Sequence, residues 1–166
     1  MINKVIFIVS APLYIGDYER YGAEILIDNG FNIQFLDITP YIYPVLFSNA
    51  TKKNLYKGVN KKTLHDKASA LKEINLITSD SIILLLLHFN YNTYHIFRAI
   101  SKASLEYAVP ILSTVPTFAY NTSKKYFFSK IAKINHLKLP RILKNRLFSP
   151  RYYNLLGVSA PIALLL

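Results

Sequence analysis

Short apolar runs alternate along this chain with segments of helical periodicity, and no other feature of the sequence restricts the fold as strongly. Four runs are rich in β-branched, leucine or aromatic side chains: residues 4–9, 31–38, 81–87 and 109–115. Their length and composition are typical of strands, and residues 4–9 and 81–87 are apolar enough for strands buried on both faces. The segments between them repeat apolar side chains at helical spacing.

Strands that alternate with helices form βαβ units, in which neighbouring strands run parallel. The sequence therefore predicts an α/β fold, a Rossmann-like three-layer domain with a mostly parallel sheet of about five strands. Helices are expected over residues 17–28, 63–78 and 93–107. Residues 39–62 lack sustained periodicity and are expected to form a long loop with a short helix, and an apolar run within 155–166 supplies the fifth strand.

Positive charge is concentrated towards the carboxyl-terminal end. Of a net charge of +11, residues 1–106 contribute +2, from 11 Lys/Arg and 9 Asp/Glu, whereas residues 107–166 contribute +9 and hold no acidic side chain. We therefore divide the chain into a Rossmann-like domain, 1–120, and a basic amphipathic helical segment with an apolar terminal strand, 121–166, at the edge of the same domain. The basic side chains are Lys124, Lys125, Lys130, Lys133, Lys138, Arg141, Lys144, Arg146 and Arg151.

Basic side chains interleaved with bulky apolar ones have two interpretations of equal weight. An interfacial helix on an anionic membrane surface requires this pattern. A helix that packs its apolar face on the sheet and exposes its lysines to water produces the same pattern. A nucleic acid is not an expected partner, because no helix-turn-helix, zinc-finger or RNA-stacking motif accompanies the charge.

The composition excludes several classes of protein. Hydrophobic residues make up 52% of the chain and charged residues 17%, so the chain can form a packed core and is not of the disordered type. Without cysteine it has no disulfide framework, thiolate metal site or cysteine nucleophile, which fits a reducing compartment. It shows no signal-peptide pattern, and its longest apolar stretches are shorter than the ~18–20 residues of a spanning helix. The expected location is the cytoplasm, as a peripheral protein at the inner face of the membrane.

Polar residues follow the predicted strands at their carboxyl ends, where ligands of this fold bind. The first loop has a single glycine, Gly16, where a dinucleotide fingerprint needs three, and it lacks the lysine of a P-loop, so no cofactor is expected. Asp17 is expected to cap the following helix, and its charge opposes anion binding there. His65 and His95 lie on predicted helices without a second ligand at metal spacing. Solvated or interhelical roles are therefore expected for them, and no metal site is predicted.

His88 is the candidate catalytic residue. It follows four leucines at the mouth of the sheet, where an imidazole could act as a general base or bind a sugar hydroxyl. Asn90 and Asn92 could bind the same polyol. The alternative is a strand-end histidine satisfied by a backbone carbonyl, with Asn92 or Thr93 capping the next helix.

Three segments resemble the amino-terminal domain of GT-B glycosyltransferases, especially those of bacterial surface-polysaccharide and lipopolysaccharide clusters. Residues 21–37 are similar to the family's helix, glycine and strand. Residues 80–88 resemble its strand that ends in a histidine near the acceptor cleft, and residues 109–114 resemble the strand that follows. The resemblance spans roughly residues 1–120 and implies a domain that binds the acceptor, while a carboxyl-terminal domain binds the nucleotide sugar.

The resemblance also implies roles for individual residues. His88 would orient or deprotonate an acceptor hydroxyl, and the loops that carry Tyr14, Gly16, Asp17 and Thr117 would line the cleft. The chain stops about where a second domain should begin, so the resemblance implies an amino-terminal half that is inactive alone.

Two functions therefore remain open from the sequence. The first is the acceptor-binding half of a membrane-associated glycosyltransferase in surface glycan biosynthesis. Its partners would be a glycan or lipid-linked acceptor, an anionic membrane surface and a separate nucleotide-sugar-binding domain. The second is a non-catalytic Rossmann-like binding or assembly module that uses the basic segment to dock an acidic partner chain or a nucleic acid.

Overall fold

The structure is a computed structural model that describes residues 2–50, 54–111 and 162–165. Thr117 and the nine basic residues between 124 and 151 lie outside the described residues. The elements are β1 (Lys4–Val9), α1 (Ile15–Arg20), α2 (Ala23–Asp28), β2 (Asn32–Asp37), α3 (Thr39–Ile42), α4 (Pro44–Ser48), β3 (Lys61–Thr63), α5 (Lys67–Asn75), β4 (Ser81–Leu86), α6 (Tyr94–Lys102), β5 (Tyr107–Ile111) and β6 (Ile162–Leu165).

The described strands form one six-stranded sheet in the order β3-β2-β1-β4-β5-β6, and every neighbouring pair is parallel. The chain enters the sheet at its centre, builds outwards to one edge through β2 and β3, and then returns to the other side of β1 to build β4, β5 and β6. This is the order of a doubly wound Rossmann-like domain, in which the direction of winding reverses between β1 and β4. The α/β prediction is confirmed.

Strand β1 is buried from both sides, and its side chains alternate between two apolar clusters. Val5, Phe7 and Val9 belong to one cluster, whereas Ile6 and Ile8 belong to the other. Successive side chains of a strand point to opposite faces of the sheet, so the two clusters lie on its two faces. A strand covered on both sides needs apolar residues at every position, which explains why this run does not alternate with polar residues.

The helices form the two outer layers. Tyr18 of α1, Ala23 of α2 and Tyr21 between the two helices belong to the cluster that contains Phe7, where the Phe7 and Phe35 rings stack with centroids 4.8 Å apart. On the opposite face, helices α3, α5 and α6 bury Ile42, Ala70, Ile74, Ile96, Phe97 and Ile100 against the sheet. The three layers predicted from the alternation are therefore present.

Two predictions about local structure are wrong. The single helix expected over 17–28 is two helices, because Gly22 adopts a left-handed conformation (φ 65°) that a continuous helix does not tolerate. The segment 39–62 also contains more structure than a loop with one short helix. It holds α3 and α4, and the edge strand β3 begins within it at Lys61.

Two predicted helices are shorter than expected: the helix expected over 63–78 is α5 (Lys67–Asn75), and the helix expected over 93–107 is α6 (Tyr94–Lys102). Strand β4 ends one residue earlier than predicted, and β5 begins at Tyr107, two residues before the expected start. Strand β6 lies in the final apolar run and pairs with β5, so Pro110 stands opposite Leu164. Within the described ranges, no helix has the length and apolar character required to cross a bilayer.

A buried ion pair joins the edge strand β3 to its neighbour β2. Asp37, the last residue of β2, is completely buried, and the Nζ atom of Lys61 lies 2.9 Å from its Oδ2 atom. The Oδ1 atom accepts a hydrogen bond of 3.0 Å from the backbone N–H of Thr39, at the start of α3. One carboxylate thus binds both the edge strand and the short helix that follows β2.

Replacing Lys61 with Met leaves the Asp37 carboxylate buried without its cation. We expect the free energy of unfolding to fall by about 3 kcal/mol, because an uncompensated charge would remain in the interior. Urea unfolding followed by circular dichroism measures this loss. The matched control is Arg20→Met, which removes the exposed Arg20–Asp17 ion pair and is expected to change stability much less. Equal losses in the two variants would contradict a stabilising role for the buried pair.

Candidate functional site

The strand order places the candidate site at the carboxyl edge of the sheet. In a doubly wound sheet, ligands bind outside the carboxyl ends of the strands where the winding direction reverses, here between β1 and β4. Helix α3 follows β2 and the loop of residues 87–93 follows β4. Strands β2 and β4 flank β1, so these two segments leave the sheet on either side of the carboxyl end of β1.

A cleft lies between these two segments and helix α5. Its volume is about 330 Å³, and we call it the tyrosine cleft. Three of the side chains that line it are tyrosines, one is a cation and none is acidic. The lining residues are Tyr41, Ile42, Lys67, Tyr91, Asn92, Tyr94 and His95.

The loop after β4 is held by hydrogen bonds of Asn90 and Thr93. The hydroxyl of the buried Thr93 donates to the carbonyl oxygen of His88 (2.6 Å) and accepts from the backbone N–H of Asn90 (3.0 Å). The Oδ1 atom of Asn90 accepts from the backbone N–H groups of Asn92 (2.9 Å) and Thr93 (3.3 Å). The carbonyl side of the Asn90 amide is therefore used to shape the loop, as an Asx turn does.

A tyrosine and a histidine from different elements meet in the wall of the cleft. The hydroxyl of Tyr41 on α3 lies 2.9 Å from the Nε2 atom of His95 on α6, and the two rings meet edge to face. Burial, followed in importance by the positive charge of Lys67, lowers the pKa of His95 to about 4. Burial also raises the pKa of Tyr41. Both groups are neutral near pH 7, and the interhelical role predicted for His95 is confirmed.

The predicted site residues of the first loop lie in the other helical layer. Asp17 is the third residue of α1 rather than its N-cap, which is Tyr14. The Oδ2 atom of Asp17 accepts from the backbone N–H of Tyr14 (3.1 Å), and its Oδ1 atom pairs with Arg20. One carboxylate oxygen thus serves the first turn of the helix, and the other pairs with the last residue of the helix. Tyr14 forms a β-bridge with Leu55.

The acidic residue at the end of β2 has a structural role in this chain. In dinucleotide-binding domains an Asp or Glu at this place binds the ribose hydroxyls. Here Asp37 occupies it, but its side chain is fully buried and engaged by Lys61 and by the backbone of Thr39. This geometry, together with the single glycine of the first loop, does not fit the usual dinucleotide site.

His88 lies on the loop after β4 but does not line the tyrosine cleft. Its side chain is exposed, and within the described part of the chain its imidazole forms no hydrogen bond or ion pair. Of the predicted site residues that the structure describes, only Asn92 lies in the cleft wall. Residues 2–50, 54–111 and 162–165 contain no group of His, Asp and Glu side chains that could hold a metal ion.

Sequence reasoning missed most of the cleft wall. Tyr41, Lys67, Tyr91 and Tyr94 come from three separate segments, and no spacing in the sequence joins them. One usable signal was position: Tyr41 follows β2 closely, and Tyr91 and Tyr94 follow β4 closely, so all three belong to the carboxyl edge of a parallel sheet.

A second cavity, of about 400 Å³, opens at the opposite, amino end of the strands. Its wall includes Lys61 and Lys62, whose ammonium groups are paired with Asp37 and Glu73. Its place in the sheet is not where ligands of this fold bind. We therefore consider the tyrosine cleft the candidate functional site.

Comparison of the chain with protein-family models, with curated proteins and with solved structures gives no significant match. The function of the protein is therefore inferred from its fold and from the geometry of the cleft.

The lowered pKa of His95 predicts a pH dependence of stability. An unfolded chain binds a proton at His95 near the ordinary imidazole pKa of 6.5, whereas the folded chain resists protonation until about pH 4. Stability is therefore highest above pH 6.5 and is lost as the pH falls towards 4. We expect His95→Gln to show a shallower loss over this window, measured as the urea midpoint at a series of pH values. Parallel curves for the two proteins would contradict the assignment.

The open surroundings of Gly16 predict that this residue can be replaced. A Cβ atom at Gly16 would meet no atom within 4 Å, and its φ is not left-handed. We expect Gly16→Ala to raise the free energy of unfolding by about 0.5 kcal/mol, because alanine favours the helix. The control Gly22→Ala is expected to lower it, because φ is 65° there. Thermal unfolding of both variants checks this, and a destabilised Gly16→Ala protein would show a need for glycine that the geometry lacks.

Proposed function

We propose that this chain is the acceptor-binding domain of a nucleotide-sugar-dependent glycosyltransferase of surface glycan biosynthesis, and that the acceptor glycan binds in the tyrosine cleft. The observation that carries the proposal is the lining and position of this cleft: three tyrosines line it, and they lie in the segments that follow β2 and β4, the two neighbours of β1 in a doubly wound sheet. The resemblance of residues 1–120 to the acceptor domains of GT-B enzymes supports the same function.

The wall of the cleft has the chemistry that a sugar ring requires. A pyranose has an apolar face of C–H groups, which packs on an aromatic ring, and an edge of hydroxyls, which need hydrogen-bond partners. The Tyr91 and Tyr94 rings, with centroids 6.4 Å apart and planes 32° from parallel, offer the aromatic surface. Asn92 and the neutral Tyr41–His95 pair offer donors and acceptors around it.

His88 has a distinct part in this proposal. It stands beside the point where the winding of the sheet reverses, its backbone carbonyl is held by Thr93, and its side chain is exposed. It would orient or deprotonate the acceptor hydroxyl when a nucleotide sugar, bound by another domain, is presented to it. The basic residues from Lys124 to Arg151 would hold the protein at an anionic membrane surface, the inner face of the membrane in the cytoplasm.

Truncation of Tyr91 tests the proposed glycan site. Tyr91 is 44% exposed, so Tyr91→Ala removes cleft surface with little loss of core packing. We expect the full chain to be retained on an array of bacterial surface oligosaccharides, and Tyr91→Ala to bind about fivefold more weakly, since stacking of this kind contributes about 1 kcal/mol. The matched control is Tyr43→Ala, which removes a tyrosine that is 37% exposed and lies outside the cleft.

Two results would contradict the proposal. Failure of the unsubstituted chain to bind any oligosaccharide on the array would remove the acceptor role. Equal binding by Tyr91→Ala and by the unsubstituted chain would remove the tyrosine cleft as the site. In the first case a binding or assembly module would become the better description, and copurification with a defined acidic partner would support it.

A further inference from the structure

We infer that the tyrosine cleft selects a sugar that carries an anionic substituent, a carboxylate or a phosphate, and that Lys67 binds this group. The inference rests on the proposed function, because it concerns the ligand of the same site. It goes further in naming the chemical class of the sugar and the residue that determines the preference.

Lys67 is the cation that lines the tyrosine cleft, and it forms no ion pair within the described residues. Arg20, Lys61 and Lys62 each have a carboxylate partner. Lys67 lines the cleft and is exposed, and no carboxylate lies within ion-pair distance of it in the described part of the chain. A cation without a protein partner at the wall of a concave site is available to a ligand anion.

The remaining wall of the cleft does not supply a negative charge. None of its seven residues is acidic. The nearest carboxylate in sequence belongs to Asp66, which accepts a hydrogen bond of 2.8 Å from the backbone N–H of Ser69 and caps its own helix. Hydrogen bonding by Ser69 lowers the pKa of Asp66, so Asp66 is ionised at the amino terminus of α5, and its carboxylate does not line the cleft.

The groups near Lys67 also favour a negatively charged ligand. The imidazole of His95 is neutral near pH 7, and Lys67 is close enough to contribute to the lowering of its pKa. Tyr41 is also neutral. Helices α5 and α6, nine residues each, both begin at the cleft, with Lys67 and Tyr94 as their first residues. The amino terminus of α6, whose N-cap Thr93 forms no side-chain cap hydrogen bond, adds partial positive charge to that of the ammonium group, whereas the amino terminus of α5 is capped by the carboxylate of Asp66.

The composition of the wall favours an anionic group that is part of a sugar over a free inorganic anion. Lys67 and the rings of Tyr91 and Tyr94 line one cavity of about 330 Å³, a size suited to a small glycan. A ring packed on the tyrosines would thus share this cavity with the ammonium group. An acidic sugar satisfies both parts of the wall, whereas inorganic phosphate satisfies only one.

The test compares neutral and anionic members of matched sugar pairs. The full chain, labelled with ¹⁵N, is titrated with the methyl glycosides of glucose, galactose and mannose, with the corresponding uronic acid glycosides and 6-phosphates, and with inorganic phosphate. We expect at least one anionic member to bind about tenfold more tightly than its neutral counterpart, with shifts at the tyrosine cleft. In Lys67→Gln this preference should vanish while affinity for the neutral sugar is kept. The control is Lys72→Gln, on the same helix but outside the cleft, which should retain the preference.

Each outcome has a defined meaning. Loss of the preference in Lys67→Gln alone supports the inference. Equal binding of neutral and anionic sugars overturns it and leaves the glycan site intact. Inorganic phosphate that binds as tightly as the phosphorylated sugars shows an anion site without sugar recognition, and absence of binding by every sugar shows no glycan site. Either of these last two results overturns the inference and the proposed function together.

Discussion

Burial of β1 on both faces is the constraint on which the rest of this structure depends. Because Ile6 and Phe7 point into different apolar clusters, each face of the strand needs its own layer of helices. The strand must also have a parallel neighbour on each side, and β2 and β4 fill these places. A chain that builds outwards from a central strand in both directions must reverse its winding there. The segments that follow β2 and β4 therefore leave the sheet on either side of the carboxyl end of β1, and side chains from both segments line the tyrosine cleft.

The parts of the fold that could be predicted are those in which the buried surface imposes a local pattern. Residues 4–9 and 81–86 form strands that are covered on both sides, so each is recognisable from its own composition. Strand β3 cannot be recognised from its own composition, because it consists of Lys61, Lys62 and Thr63 and stands at the edge of the sheet. It is held by parallel backbone pairing with β2 and by a buried ion pair between Lys61 and Asp37, 24 residues earlier, and neither contact leaves a periodic signal in the sequence.

The site was harder to predict than the fold, because no local pattern in the sequence marks most of its wall. Position at a strand end identified the loop after β4, which contains His88, Asn90 and Asn92. The chemistry of the cleft depends instead on contacts between distant segments, such as the hydrogen bond between Tyr41 and His95, 54 residues apart. A lone histidine on a helix shows neither its neutral state nor its partner in the sequence. Asp17 illustrates the opposite case, since its carboxylate serves the first turn of its own helix, a local role that the sequence could suggest.

The carboxylate of Asp37 connects the wall of the tyrosine cleft with the edge strand β3. On one side it holds the first residue of α3, the four-residue helix that presents Tyr41 to the cleft; on the other it holds Lys61 of β3. Any rotation of α3 when the cleft fills would pull on the same atom pair that keeps the edge strand in register. The exchange rate of the β3 backbone amides would then report whether the cleft is empty or occupied, although β3 contributes no residue to its wall.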